Sequence, residues 1–276
     1  MNARIGPRSF RFPRRHLWAS SLDVTINVGS SAIDEEFREH GLDAIRSENN
    51  CRVLGALSEI ASITGKRLLD VGSAHGWSIE AAQISGAIVT GIEPNHSVVG
   101  SRRLTGAVRS GFFPDALVAH EFFDVITFYD VLEHLPAPAP AAAIRASFAH
   151  IAGAGLLSIN VPDNRGLAFF AARLVARVGV FGPYERLRQK GLQSPHLWYS
   201  NADSLADLGT RSGVKVIRSR HLPSIARAGL WRRALMDRRP SGGSRPQFIA
   251  LALLAPVYNL SRFSDILYIV PVKSED

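Results

Sequence analysis

Residues 68–76 read Leu68-Leu69-Asp70-Val71-Gly72-Ser73-Ala74-His75-Gly76. A short apolar run ends in an acid, and two glycines then bracket a tight turn. The run has the length of a buried strand, and the glycines let backbone approach a ligand with no Cβ in the way. Working outward, similar short apolar runs occupy 87–92, 124–129 and 156–161, with a weaker one near 107–111. The intervals between them are long enough for helices, the pattern of βαβ units in a parallel sheet.

Upstream, Phe37, Leu42, Ile45, Val53, Leu54, Leu57, Ile60 and Ile63 recur at helical spacing, which predicts one or two helices over 35–63. Downstream, Pro162-Asp163-Asn164-Arg165-Gly166 marks a loop. Phe169, Phe170, Leu174, Val175 and Val178 then give the stretch from Leu167 to Val178 an amphipathic helical spacing. Ser200, with Asp203 three residues on, predicts a helix start leading into 202–212. Strands are expected at 214–219 and 266–272, and an apolar helix at 248–260. The expected organisation is a basic, flexible arm over 1–30 and a single domain over 31–276, with rim insertions near 163–195 and 220–262.

Composition narrows the class. At 276 residues, 46% hydrophobic and 20% charged, the chain can bury a full core and carries no mark of disorder. One cysteine, Cys51, excludes an internal disulfide framework and a cysteine-based zinc cluster, which suits a reducing, cytoplasmic setting. No stretch has the roughly 18 apolar residues of a spanning helix. Arg4, Arg8, Arg11, Arg14 and Arg15 precede no apolar signal core. Charge is uneven: residues 1–159 carry a formal −2 and residues 160–276 a formal +10. A basic half attracts phosphate, anionic lipid or nucleic acid at long range but says nothing about chemistry.

Ligands of parallel α/β sheets bind beyond the carboxyl ends of the strands. Asp70 ends the first strand, and Glu93 ends the second, 23 positions later, where a carboxylate can accept bonds from both hydroxyls of a ribose. The turn departs from G-x-G-x-x-G, and carboxylates such as Asp70 and Asp130 suit a ligand carrying cationic sulfonium and ammonium groups. His134 follows the fourth strand and has the reference pKa of a neutral-pH base. Its bland alternative is a helix-capping histidine. Asp130, Glu133 and His134, with His196, also permit a divalent metal site, carried as the alternative to a metal-free centre because Glu133 can equally be structural. His196, Trp198 and Tyr199 either line an acceptor pocket or pack.

These residues resemble the class I S-adenosylmethionine-dependent methyltransferases, in particular the small-molecule group of the ubiquinone-biosynthesis type. The resemblance rests on 68–76, Val89-Thr90-Gly91-Ile92-Glu93-Pro94, Gly111-Phe112-Phe113-Pro114, Phe123-Asp124-Val125-Ile126, Asp130-Val131-Leu132-Glu133-His134-Leu135, 155–162 and His196-Leu197-Trp198-Tyr199. It implies a Rossmann-like, doubly wound α/β fold: a seven-stranded sheet, mostly parallel with an antiparallel last strand, and helices on both faces. It implies S-adenosyl-L-methionine as cofactor, held by Asp70, Gly72, Ser73, Ala74, Gly76, Glu93 and Asp130, with adenine near Phe112 or Phe113. His134 and His196 are the candidate catalytic residues. Ala74 stands where the group usually has glycine, and His75 is bulky for its place.

The expected acceptor is a small molecule, glycan or lipid-linked precursor, methylated on oxygen, with peripheral membrane contact as an open reading. Nucleic acid is not the expected acceptor, and the oligomeric state is not set by sequence. The alternatives are a non-catalytic cofactor-binding protein of the same fold and a metal-assisted enzyme acting on vicinal hydroxyls, RNA ends included.

Overall fold

The computed structural model describes residues 35–96, 99, 107–190, 194–211, 213–235, 245–259 and 264–273. The arm expected over 1–30 lies outside these residues, as do parts of the insertion expected over 220–262. Among the described residues one helix, α1 (Glu35–Ser58), precedes the sheet. The polar stretch in its middle does not break it, because Asn49 and Asn50 are buried and Asn49 donates from Nδ2 to the Pro223 carbonyl at 2.9 Å.

Seven strands follow: β1 (Arg67–Val71), β2 (Ile88–Glu93), β3 (Val108–Ser110), β4 (Phe123–Tyr129), β5 (Ile151–Pro162), β6 (Val214–Leu222) and β7 (Ile266–Lys273). They form one sheet in the order β3-β2-β1-β4-β5-β7-β6. Strands β1 to β5 pair in parallel, and β7 is antiparallel to both β5 and β6. It is therefore the one strand running against the rest, as the resemblance implied.

Alternation along the strands divides the core between two faces. Leu68, Val89, Val125 and Leu156 face α1 and α2 (Trp77–Ile84), whereas Leu69, Ile92, Ile126 and Leu157 face α3 (Ala139–His150) and α6 (Ala202–Arg211). Between β5 and α6 the chain builds α4 (Leu167–Ala176) and α5 (Gly182–Leu187), and between β6 and β7 it builds α7 (Leu230–Leu235) and α8 (Arg245–Tyr258). The short helices α5 and α7 carry no periodic signal strong enough to read in advance.

Asp265 caps α4, its carboxylate accepting from the amides of Ala168 and Phe169 at 3.1 and 3.2 Å, and a Cβ on Gly166 would lie 2.1 Å from that carboxylate. The start of α6 corrects the sequence expectation: Asn201, not Ser200, is the cap. Asn201 Oδ1 accepts from the Ser204 amide and Ser204 Oγ accepts from the Asn201 amide, each at 2.9 Å. Ser200 is engaged elsewhere, its amide on the Pro162 carbonyl and its carbonyl on the Asn164 amide. Among the described residues no helix is long and apolar enough to cross a membrane.

Candidate functional site

Strand β1 pairs with β2 on one side and β4 on the other, so successive connections leave it in opposite directions and open a crevice beyond its carboxyl end. Asp70 lies there, 2% exposed. One carboxylate oxygen accepts from Thr127 Oγ1 at 2.6 Å; the other, Oδ2, is buried with no hydrogen-bond partner. Burial pushes Asp70 up to about 7, the nearby Glu93 charge adds to this, and the hydroxyls of Thr127 and Ser78 oppose it.

The following turn is built from left-handed residues. Gly72, Ala74 and Gly76 have φ of 72°, 43° and 81°. A Cβ on Gly72 would come within 2.6 Å of Val131 Cγ2, and one on Gly91 within 2.7 Å of Ile79 Cδ1. Glycine is therefore required at both for close approach. Glu93 holds the turn from the end of β2, accepting the Ala74 amide on Oε2 and the Asn95 amide on Oε1, both at 2.8 Å. Two amide bonds leave a carboxylate with acceptor capacity to spare. Ser73 Oγ is buried and unpartnered, like Asp70 Oδ2. A bare-backbone turn, two orphaned acceptors and a fixed carboxylate at the next strand end fit a ligand that bears a cation and a diol.

On the far side of the crevice, Asp130 is held at φ 55° by its amide's bond to Asn160 Oδ1 at 2.6 Å. A non-glycine residue in this region is strained, and such strain concentrates at functional sites. A 3₁₀ turn, Leu132–His134, follows. Glu133 is 2% exposed, and neither carboxylate oxygen has a hydrogen-bond partner. Burial first, and the Asp130 charge second, hold it well above the usual carboxylate range.

The Glu133 backbone carbonyl accepts the amides of Leu197 at 2.7 Å and Trp198 at 3.3 Å, which brings in His196 from 63 residues away in the chain. The His134 and His196 rings meet edge to face, centroids 4.9 Å apart. One ligand atom each from Glu133, His134 and His196 lies within 4.8 Å of the others, the spacing of a cation site; Asp130 is outside that group. Nδ1 of His134 lies 3.0 Å from the Pro195 carbonyl, which can only accept, so Nδ1 carries a proton, and in the neutral ring the lone pair is then on Nε2.

Several residues the sequence left unread hold these groups. Arg188, 2% exposed, donates to the Leu197 carbonyl at 2.7 Å, and Gln189 Nε2 lies 2.7 Å from His196 Nε2. Tyr199 packs rather than lining a pocket: its ring stacks on Phe169 with centroids 4.5 Å apart and its hydroxyl donates to the Leu187 carbonyl at 2.6 Å. Trp198 donates from its indole to the Leu135 carbonyl at 2.7 Å. Phe113 meets Phe128 edge to face at 5.5 Å, and the neighbouring Phe112 ring is exposed. Only Asn160, with Ser158, left a signal, as polar residues inside an apolar run.

A family model described as a methyltransferase domain matches residues 42–219. The ubiquinone biosynthesis O-methyltransferase of Pseudomonas putida (strain GB-1) is 31% identical over 143 residues, covering 49% of this chain and 60% of that protein. That of Hahella chejuensis is 35% identical over 129 residues, covering 43% and 52%. The chain thus spans little more than half the length of these relatives. Among solved structures, the magnesium protoporphyrin IX methyltransferase of Synechocystis PCC 6803, with bound SAH, superposes at a TM-score of 0.54 and 13% identity, covering 86% of this chain and 88% of that one. At that identity the likeness is one of fold.

Proposed function

Because the chain belongs to the methyltransferase-domain family, we propose that it transfers the methyl group of S-adenosyl-L-methionine to a hydroxyl oxygen of a small molecule, glycan or lipid-linked acceptor. When bound, that cofactor supplies a methyl group on a sulfonium, electrophilic enough for in-line displacement. The residues at the β1/β4 crevice divide the binding work. The turn over 72–76 presents backbone, Glu93 accepts from ribose hydroxyls, and Asp70 with Asp130 places negative charge by the ammonium and sulfonium. The exposed Phe112 ring and Phe113 flank the adenine side.

His134 carries the acceptor chemistry in this reading, and its tautomer is the observation that favours it: with Nδ1 committed to the Pro195 carbonyl, Nε2 is the nitrogen that takes a proton. The base removes the hydroxyl proton as the oxygen attacks, and His196, anchored by Gln189 and the Arg188 carbonyl, fixes the edge of its ring. His134→Ala is expected to lower kcat by about 10²-fold or more while leaving cofactor affinity unchanged. Calorimetric binding and production of S-adenosylhomocysteine with a panel of phenolic and sugar acceptors measure the two. Equal loss of both removes the base assignment, and cofactor binding with no turnover on any acceptor favours a non-catalytic protein.

A second reading has its own support. Neither oxygen of Glu133 has a hydrogen-bond partner, and Oε1 lies 4.0 Å from His196 Nε2 with a second imidazole alongside, an arrangement that a divalent cation would satisfy. Glu133, His134 and His196 would hold the ion, which would lower the pKa of vicinal acceptor hydroxyls as a Lewis acid. Chelation followed by dialysis separates the readings: activity survives if His134 acts as a general base without a metal, and is lost and restored by added Mg²⁺ or Zn²⁺ if the cluster acts through a metal.

A further inference from the structure

We infer that Gln189 is a positioning residue: its side-chain amide locks His196 as the neutral ring protonated on Nδ1, and takes the lone pair that a cation in the Glu133, His134 and His196 cluster would need. The inference rests on the reading that sets His134 and His196 beside the acceptor, and it concerns which form of that centre the protein holds ready. Two bonds fix the ring independently. Tyr199 Oη lies 2.6 Å from the Leu187 carbonyl, which can only accept, so the hydroxyl proton is committed there. The same oxygen lies 3.3 Å from His196 Nδ1 and can only accept from it, which puts a proton on Nδ1. Nε2 of the neutral ring is then an acceptor, and Gln189 Nε2 meets it at 2.7 Å. Turning the amide over would set lone pair against lone pair. Donation therefore runs one way, from Gln189 through His196 and Tyr199 to the Leu187 carbonyl.

The backbone is built to deliver this contact. Gln189, in the turn after α5, stands at φ 52°, a conformation that residues bearing a Cβ rarely adopt and that concentrates at functional sites. Its neighbours hold it there. The Gln189 amide donates to the Arg186 carbonyl at 3.0 Å, and the Arg188 carbonyl accepts the His196 amide at 3.0 Å. The buried Arg188 guanidinium then donates to the Leu197 carbonyl at 2.7 Å. The turn is thus tied to the segment that carries His196. Glycine or asparagine would sit at this φ with less strain, but glycine has no donor to offer and asparagine is one methylene short.

Glu133 Oε1 lies 4.0 Å from the same His196 Nε2, so a cation bridging the two would use the lone pair that Gln189 occupies. A divalent ion binds imidazole through a bare nitrogen, and it enters this cluster only by displacing the amide. His134 is unaffected, since its Nδ1 is engaged by the Pro195 carbonyl. Gln189 therefore favours the centre in which His134 is a general base and weighs against the one held by a metal.

The test uses the full chain without cofactor. A long-range proton–nitrogen correlation spectrum, taken where imidazole is neutral and with His196 identified by its loss in His196→Asn, should show that ring protonated on Nδ1. Gln189→Glu keeps the length but replaces the donor with an acceptor, so Nε2 should gain a proton; a role in packing alone would leave it bare. Gln189→Gly suits the left-handed backbone and removes the amide. Calorimetric titration with Zn²⁺ should then give at least about tenfold tighter binding than in the unsubstituted chain, a gain lost again when Glu133→Gln is added. If Gln189→Glu misfolds, the Zn²⁺ titration of Gln189→Gly decides. A proton on Nε2 in the unsubstituted chain, a bare Nε2 in Gln189→Glu, or equal Zn²⁺ affinity with and without Gln189→Gly overturns the inference. None of these readouts involves turnover, and binding of S-adenosylmethionine, followed separately by calorimetry, reports on the methyltransferase reading.

Discussion

Asp70 sits at the end of β1 with one carboxylate oxygen satisfied by Thr127 and the other by nothing in the protein. Its ordinary value is 3.8 and its folded value is about 7. A carboxyl raised in this way contributes most to stability below its ordinary value, and that contribution declines as pH climbs from about 4 to about 7. A cationic ligand reverses the preference, so binding draws a proton off Asp70. Affinity for S-adenosylmethionine is accordingly expected to rise about tenfold between pH 6 and pH 8. In Asp70→Asn the profile should be flatter. Calorimetry in buffers of different ionisation enthalpy checks the proton release, and an unchanged slope in the variant would sink the assignment. The acid at this position was legible in the sequence, but its titration was not. Burial and the partners Thr127 and Ser78, about 57 and 8 residues away in the chain, set that.

At the scale of the element, the turn after β1 packs three left-handed residues into five positions, and one of them is an alanine. The Cβ of Ala74 makes that conformation cost about 1–2 kcal/mol. The bond from its amide to Glu93 helps hold it there. Ala74→Gly releases the strain but frees the unfolded chain as well, so the net gain is expected to be up to about 1 kcal/mol, seen as a higher urea midpoint at unchanged m-value. A lower midpoint would mean that the Ala74 Cβ packs favourably. The sequence had marked Ala74 as a departure from its relatives, and the positive φ supplies the reason glycine suits the position. The α6 cap shows the opposite case. Ser200 and Asn201 are both competent caps, and the choice between them is made by Pro162 and Asn164, which occupy the Ser200 backbone.

Across the whole molecule, the candidate cofactor residues come from the ends of β1, β2, β3 and β4 and from the turn after β1, so ligand binding ties together four neighbouring strands of the sheet. S-adenosylmethionine at about a hundredfold its Kd should add about 2.7 kcal/mol to the folded state, a rise of roughly 5–10 °C in melting temperature. Scanning fluorimetry measures this, and Glu93→Ala should abolish most of the shift. A full shift in that variant would remove Glu93 from the ribose site.

Strand periodicity, the glycine turn and the acids at strand ends are local patterns, and from them the sequence alone determined the α/β class, the number of strands and which edge of the sheet carries the candidate ligand-binding residues. The pairing of Glu133 with His196, the tautomer of His134, the burial of Arg188 and the packing role of Tyr199 were decided only by tertiary structure. Each depends on contacts between chain segments that no periodicity relates. The amide bonds from Leu197 and Trp198 to the Glu133 carbonyl bring those segments together, and a hydrogen bond between residues so far apart in the chain leaves no trace in the order of the side chains.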